Sequence, residues 1–151
     1  MHRLLFTVAA VAGLATALPA AAQFQKPEDA VKYRRAGMTL MGAHLSRLGA
    51  MANGKVPFNG AAAAANADIL AHLSVLPFAA FIEGTAGTAR GSAKAKVWTE
   101  RAKFDAAAKT MQDEVAKLAV AAKANNVDTL KAAFGAAAKS CKACHDEYQN
   151  E

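Results

Sequence analysis

Near the end of the chain stands Cys141-Lys142-Ala143-Cys144-His145. Thiols three positions apart share one helix face. Each can add across a vinyl group to form a thioether, and the adjacent imidazole can ligate iron from one side. That combination is the attachment pattern of a c-type haem, one per chain and covalently bound. Two other chemistries are open to the same residues. The first is a Cys141–Cys144 disulfide in a non-haem helical module, because exported proteins hold disulfides. Redox Cys-x-x-Cys pairs, however, usually begin a helix after a strand, where the helix dipole lowers a thiol pKa, and no strand pattern precedes this pair. The second is zinc, which needs a fourth ligand. No second cysteine pair exists, and His44 and His72 occupy positions typical of surface or packed residues.

The N-terminus bears on which chemistry applies. Met1-His2-Arg3 is followed by an apolar run from Leu4 to Leu18 and by Pro19-Ala20-Ala21-Ala22. A basic start, a short apolar stretch and small residues before a polar one are the marks of an export signal. The run is too short for a membrane span, which needs about 20 apolar residues. The expectation is a signal peptide over 1–22, a mature start at Gln23, a periplasmic protein with no membrane span after cleavage, and one domain over 23–151. Removing Arg3, the one formally charged residue before Gln23, takes the net charge from +6 to +5. A mildly basic surface suits acidic partners. Scattered basic residues and few aromatics argue against nucleic acid.

The elements that must position the motif are helices. Ala, Leu, Lys and Met dominate, all good helix formers, and period-two runs of Val, Ile, Thr and Tyr are absent. Breaks near residues 53–54, 57–60, 83–91 and 125–126 leave four segments. The first, about 27–52, has Pro27, Glu28 and Asp29 at its start, as a helix N-terminus favours. Its stripe is Val31, Arg34, Met38, Met41, Leu45, Leu48 and Ala52, spaced by threes and fours. The second, about 61–81, carries Ile69, Leu73, Leu76 and Ala80, with Pro77 weakening its last turn. The third, about 92–124, carries Phe104, Ala108, Met111, Val115, Leu118 and Ala122. The fourth starts at the N-cap candidate Asn126 and carries Val127, Leu130, Phe134, Ala137, Cys141, Cys144 and Tyr148. The fold class is therefore all-α, an antiparallel four-helix bundle with its haem site at the C-terminus. Arg34 and Arg35 are candidates to hold the haem propionates, since a cation near a core seam wants an anion.

Gln23 to Arg34, Leu76 to Phe81, and Leu130 to Gly135 leading into the Cys-Lys-Ala-Cys-His site resemble the cytochrome c′ family over essentially the whole mature chain. The resemblance implies a homodimer through the first two helices, and it bears on the second iron ligand. High-spin members usually carry a bulky apolar residue such as Leu at the position of Met38, and they bind nitric oxide and carbon monoxide. Low-spin relatives, called cytochrome c-556, carry a ligating Met there. The run from Val97 to Asp105 resembles the low-spin branch, and Gln149 stands where many cytochromes c′ carry an Arg. The resulting expectation is a periplasmic electron carrier, not an enzyme, that serves redox partner proteins. Cys141 and Cys144 attach the haem, His145 is the proximal ligand and Met38 the distal one. The alternative is a five-coordinate gas binder in which Met38 only packs.

Overall fold

A computed structural model describes residues 23–151. The expected signal peptide over 1–22 lies outside the described residues. The elements are α1 (Pro27–Ala52), α2 (Gly60–Leu73), a 3₁₀ turn (Leu76–Ala80), α3 (Lys96–Thr99), α4 (Arg101–Lys123) and α5 (Val127–Tyr148). α1 packs on α2 and α5, and α4 packs on the same two, which closes a four-helix bundle.

Local chemistry sets the boundaries. Pro27 opens α1 with Glu28 and Asp29 in its first turn. The Asn59 side chain caps α2 by accepting from the Ala62 N–H, and Asn126 caps α5 by accepting from the Thr129 N–H. The turn between α4 and α5 is short because Asn125 adopts a φ of 50°, a left-handed conformation that Asn tolerates.

Three of the four expected stripes match the observed packing. The third does so completely, with all six of its residues buried on α4. On α1, Arg34, Met41, Leu48 and Ala52 are buried, and Met38 and Leu45 pack against the main core. On α5, Leu130, Ala137 and Tyr148 are buried, and Phe134 and Cys141 pack against the main core. The second stripe is a correction. Ile69 and Leu76 are 45% and 44% exposed, and the buried row is Ala63, Ala67 and Leu70, continued by Ser74 and Pro77. The alanines let α2 sit close to its neighbours, while Ile69 and Leu76 face outward; the other two expected residues hold, Leu73 packing against the main core and Ala80 fully buried. The segment is also not one helix. Pro77 has no N–H to donate and disfavours helical geometry in the residue before it, so α2 ends at Leu73 and the chain resumes as the 3₁₀ turn.

By length and composition Gly60–Ala80 could cross a membrane, but it is broken after Leu73 and buries its alanine row in the bundle. The third segment is broken as well. Glu100 leaves helical geometry, with φ −122° and ψ 40°, and separates α3 from α4.

Candidate functional site

A cavity of about 590 Å³ opens between α1, the 3₁₀ turn, α4 and α5. That volume lies within the range of about 300–1,000 Å³ that small-molecule and cofactor sites occupy. The α5 wall presents Cys141, Cys144, His145 and Tyr148. The α1 wall presents Arg34, Arg35, Met38, Met41 and Leu45. Phe78, Phe81, Phe104 and Met111 complete an apolar, aromatic lining. The fold thus brings all six residues singled out from the sequence to one cavity.

Each is placed by an identifiable local cause. Cys141 and Cys144 follow from the α5 stripe, one turn apart and half-buried. Both thiols are free. Burial raises the pKa of each, and the neighbouring Cys141 adds to the rise at Cys144. Raised pKa values keep the thiols protonated, the opposite of the activated pair that a disulfide-exchange site needs. Among the described residues no group of three or more His, Cys, Asp or Glu gathers as a metal site, so zinc has no ligand set.

Met38 is half-buried and packs against the core. Next to it, Gly37 admits the 3₁₀ turn: a Cβ there would stand 2.8 Å from Pro77 Cγ.

The two arginines differ. Arg35 is exposed at the cavity. Arg34 is buried and spends its guanidinium on the segment after the 3₁₀ turn. Its Nη1 donates to the Ala80 carbonyl at 3.4 Å and to Thr85 Oγ1 at 2.6 Å, and its Nη2 donates to the Thr85 carbonyl at 2.5 Å. The guanidinium carbon also stands 4.8 Å from the Phe81 ring centre. Burial, and secondarily Arg35, lowers its pKa. Among the described residues no carboxylate pairs with either arginine.

Sequence reasoning missed Thr85 and the joining of the aromatics into one wall, although Phe104 and Tyr148 stood on the expected stripes. Phe78, Phe81, Phe104 and Tyr148 form a connected cluster, with Phe81 and Phe104 centred 4.9 Å apart and Phe104 edge-on to Tyr148 at 5.3 Å. The Leu76 to Phe81 run carried a signal for two of these residues. Nothing in the loop composition pointed to Thr85.

Residues 29–149 match the family model described as Cytochrome C′. The chain belongs to the cytochrome c′ family. The cytochrome c′ of Alcaligenes xylosoxydans xylosoxydans is 45% identical over 129 residues, which cover 85% of this chain and 99% of that protein. The crystal structure of cytochrome c′ from Rubrivivax gelatinosus superposes with a TM-score of 0.80 at 42% identity, covering 85% of this chain and all of that one. A nitric oxide complex of a cytochrome c prime variant from Alcaligenes xylosoxidans superposes with a TM-score of 0.79 at 44% identity, covering 85% of this chain and 98% of that one.

As a cytochrome c′, the chain is a haem c cytochrome with one covalently attached haem. The cavity fits that group: paired free thiols and an imidazole stand on one wall, with apolar surface opposite and cations beside it.

Proposed function

We propose that this chain is a five-coordinate cytochrome c′ that binds nitric oxide or carbon monoxide. Cys141 and Cys144 attach the haem as thioethers, His145 is the iron ligand, and Met38 covers the opposite face by packing. The observation that carries the reading is the placement of Met38. It lines the cavity from α1 while packing against the same core as Met41 and Leu45, and packing against apolar neighbours is the ordinary role of Met. The nitric oxide complex of a 44% identical relative supports the same choice.

When bound, the haem would supply an iron centre that can take up a diatomic ligand. The protein's own contribution is to hold the imidazole on α5, exclude water with the aromatic wall and balance the propionates. Arg35, exposed at the cavity, pairs with the propionates directly. Arg34, bound to Thr85 and Ala80 and also lining the cavity, would add positive charge there.

The reading keeps the mature start at Gln23, after export to the periplasm. Tyr33, Leu40, Ile69, Val75 and Leu76, all on α1, α2 or the residues that follow α2, expose apolar surface and support a homodimer through that face. The reading includes no substrate turnover.

The second reading is the electron carrier, six-coordinate through His145 and Met38 and serving redox partner proteins; the presence of a thioether on the opposite wall favours it. The placement of Met38 in the cavity lining is common to both readings, and optical spectra of the holoprotein, oxidised and reduced, with Met38→Leu beside it, separate the two. The expected result is a high-spin spectrum that the substitution leaves unchanged and rapid carbon monoxide binding to the reduced protein. A low-spin wild type that loses its spectrum in Met38→Leu would replace the gas-binding reading with the carrier.

A further inference from the structure

The connection between the 3₁₀ turn and α3 runs without regular secondary structure from Phe81 to Ala95, and its first residues are held to α1 at one point. There Arg34 Nη1 and Nη2 grip Thr85 through its hydroxyl and its carbonyl, and Nη1 also reaches the Ala80 carbonyl. Thr85 Oγ1 donates to the Ile82 carbonyl at 2.6 Å, so one hydroxyl accepts from α1 and tightens the turn behind it. Both side chains are buried, Arg34 at 5% and Thr85 at 3% exposure, and they are two of the three polar residues buried to that degree among those described. A buried guanidinium without a carboxylate is costly unless its donors are satisfied. Here the satisfaction comes from a loop, so the loop's position is written into the stability of α1.

The geometry has a consequence for the cavity. Arg34 lies four residues before Met38 on the same helix face, and both line the cavity. Phe78, on the 3₁₀ turn, and Phe81, the first residue of the gripped connection, form the wall beside them. The Phe81 ring also stacks against the Arg34 guanidinium. Among the described residues the Arg34–Thr85 contact is the one side-chain bond that ties residues 81–86 to α1, while Arg101 Nη1 holds the Phe81 carbonyl to α4 at 3.1 Å.

We propose that the Arg34–Thr85 contact is a latch that holds Phe78 and Phe81 closed beside Met38 and so sets how fast a small diatomic ligand reaches that side of the cavity. Arg34 and Thr85 are positioning residues, acting through the aromatic wall. The proposal deepens the gas-binding reading and rests on it for its biological use.

The test compares holoprotein carrying Met38→Ala with the double variant Met38→Ala/Thr85→Val. Truncating Met38 leaves the sixth position open whether the wild type is five- or six-coordinate. The spectrum of the wild type therefore judges the gas-binding reading separately. Thr85→Val keeps the shape of the side chain and removes the hydroxyl. Carbon monoxide association with the reduced double variant is expected to be about tenfold faster, the factor associated with losing one charge-assisted hydrogen bond from the closed state. Backbone hydrogen exchange is expected to accelerate at residues 80–87 and nowhere else. Thr85→Ser should restore the slower rate, and Arg34→Lys, which keeps the charge but loses the two-pronged grip, should behave like Thr85→Val. Equal association rates with and without the Thr85 hydroxyl would overturn the latch, even if the melting temperature fell, because the contact would then only stabilise the fold.

Discussion

At the scale of single residues, burial does most of the electrostatic work. Tyr148 closes α5 against Phe104 and is almost fully buried. Desolvation, with the nearby Glu100 adding to it, holds its phenol above the ordinary Tyr range. The phenol is neutral in both folded and unfolded chains below about pH 10, so it contributes no pH dependence there. Above that pH the unfolded chain releases the proton while the folded chain retains it. The unfolded state then binds fewer protons, and stability falls as pH rises towards the folded pKa. Tyr148→Phe removes that linkage and keeps the ring. Alkaline titration of holoprotein followed by far-ultraviolet circular dichroism should show the variant unfolding at higher pH than the wild type. Coincident curves would mean that Tyr148 is not the group that makes the fold fail in alkali.

At the scale of elements, close approach decides which residues the helices tolerate. Gly49 on α1 faces Phe134 on α5, and a Cβ there would stand 2.6 Å from Phe134 Cζ and 2.9 Å from Cε2. Gly→Ala inside a helix ordinarily gains about 0.5–1 kcal/mol, whereas forcing an extra methyl into a packed interface costs about 1–3 kcal/mol. The Phe134 ring tip must move, and it moves within the core. Gly49→Ala is therefore expected to lower the thermal midpoint by several degrees, with a net loss of about 1 kcal/mol; a rise would show that the ring relocates freely. The same contrast explains what was legible beforehand. The α4 stripe could be read because its bulky residues are also its buried ones, and the α5 stripe likewise apart from Val127, which is exposed. The α2 stripe was misread at Ile69 and Leu76 because the early part of its buried row is alanine, and small size, not hydrophobicity, suits that contact. The site divides in the same way. Cys141, Cys144, His145, Met38 and the two arginines carry their chemistry in their side chains and spacing. Thr85 matters only because the fold returns residue 85 to within reach of residue 34, and no local pattern records a pairing 51 residues apart.

At the scale of the whole molecule, the distribution of exposed apolar side chains calls for an explanation. Val120, at 73% exposure, stands on α4, and single exposed residues of that kind are ordinary. Tyr33, Leu40, Ile69, Val75 and Leu76 differ because they come from two helices packed on each other and the residues that follow α2. Apolar surface gathered on adjoining elements marks an association site more often than solvent-facing decoration. The simplest assembly that covers such a face is a two-fold dimer, in which the same patch meets itself. A stable interface of this kind buries upwards of about 1,000 Å², which two helices of 26 and 14 residues have the length to supply. Two-fold symmetry also sharpens the test, because every charge introduced into the patch appears twice near the axis. Leu40→Glu with Ile69→Glu places four carboxylates in one apolar contact, where like charges are both desolvated and mutually repelled. Sedimentation of the wild-type holoprotein at micromolar concentration should give twice the chain mass, and the double variant should give the single-chain mass with an unchanged haem spectrum. Both sites lie outside the cavity lining, so a spectrum that changed along with the mass would mean that the dimer helps to shape the haem pocket. A wild type that sediments as a single chain would leave this face to a different partner, and the homodimer would be withdrawn.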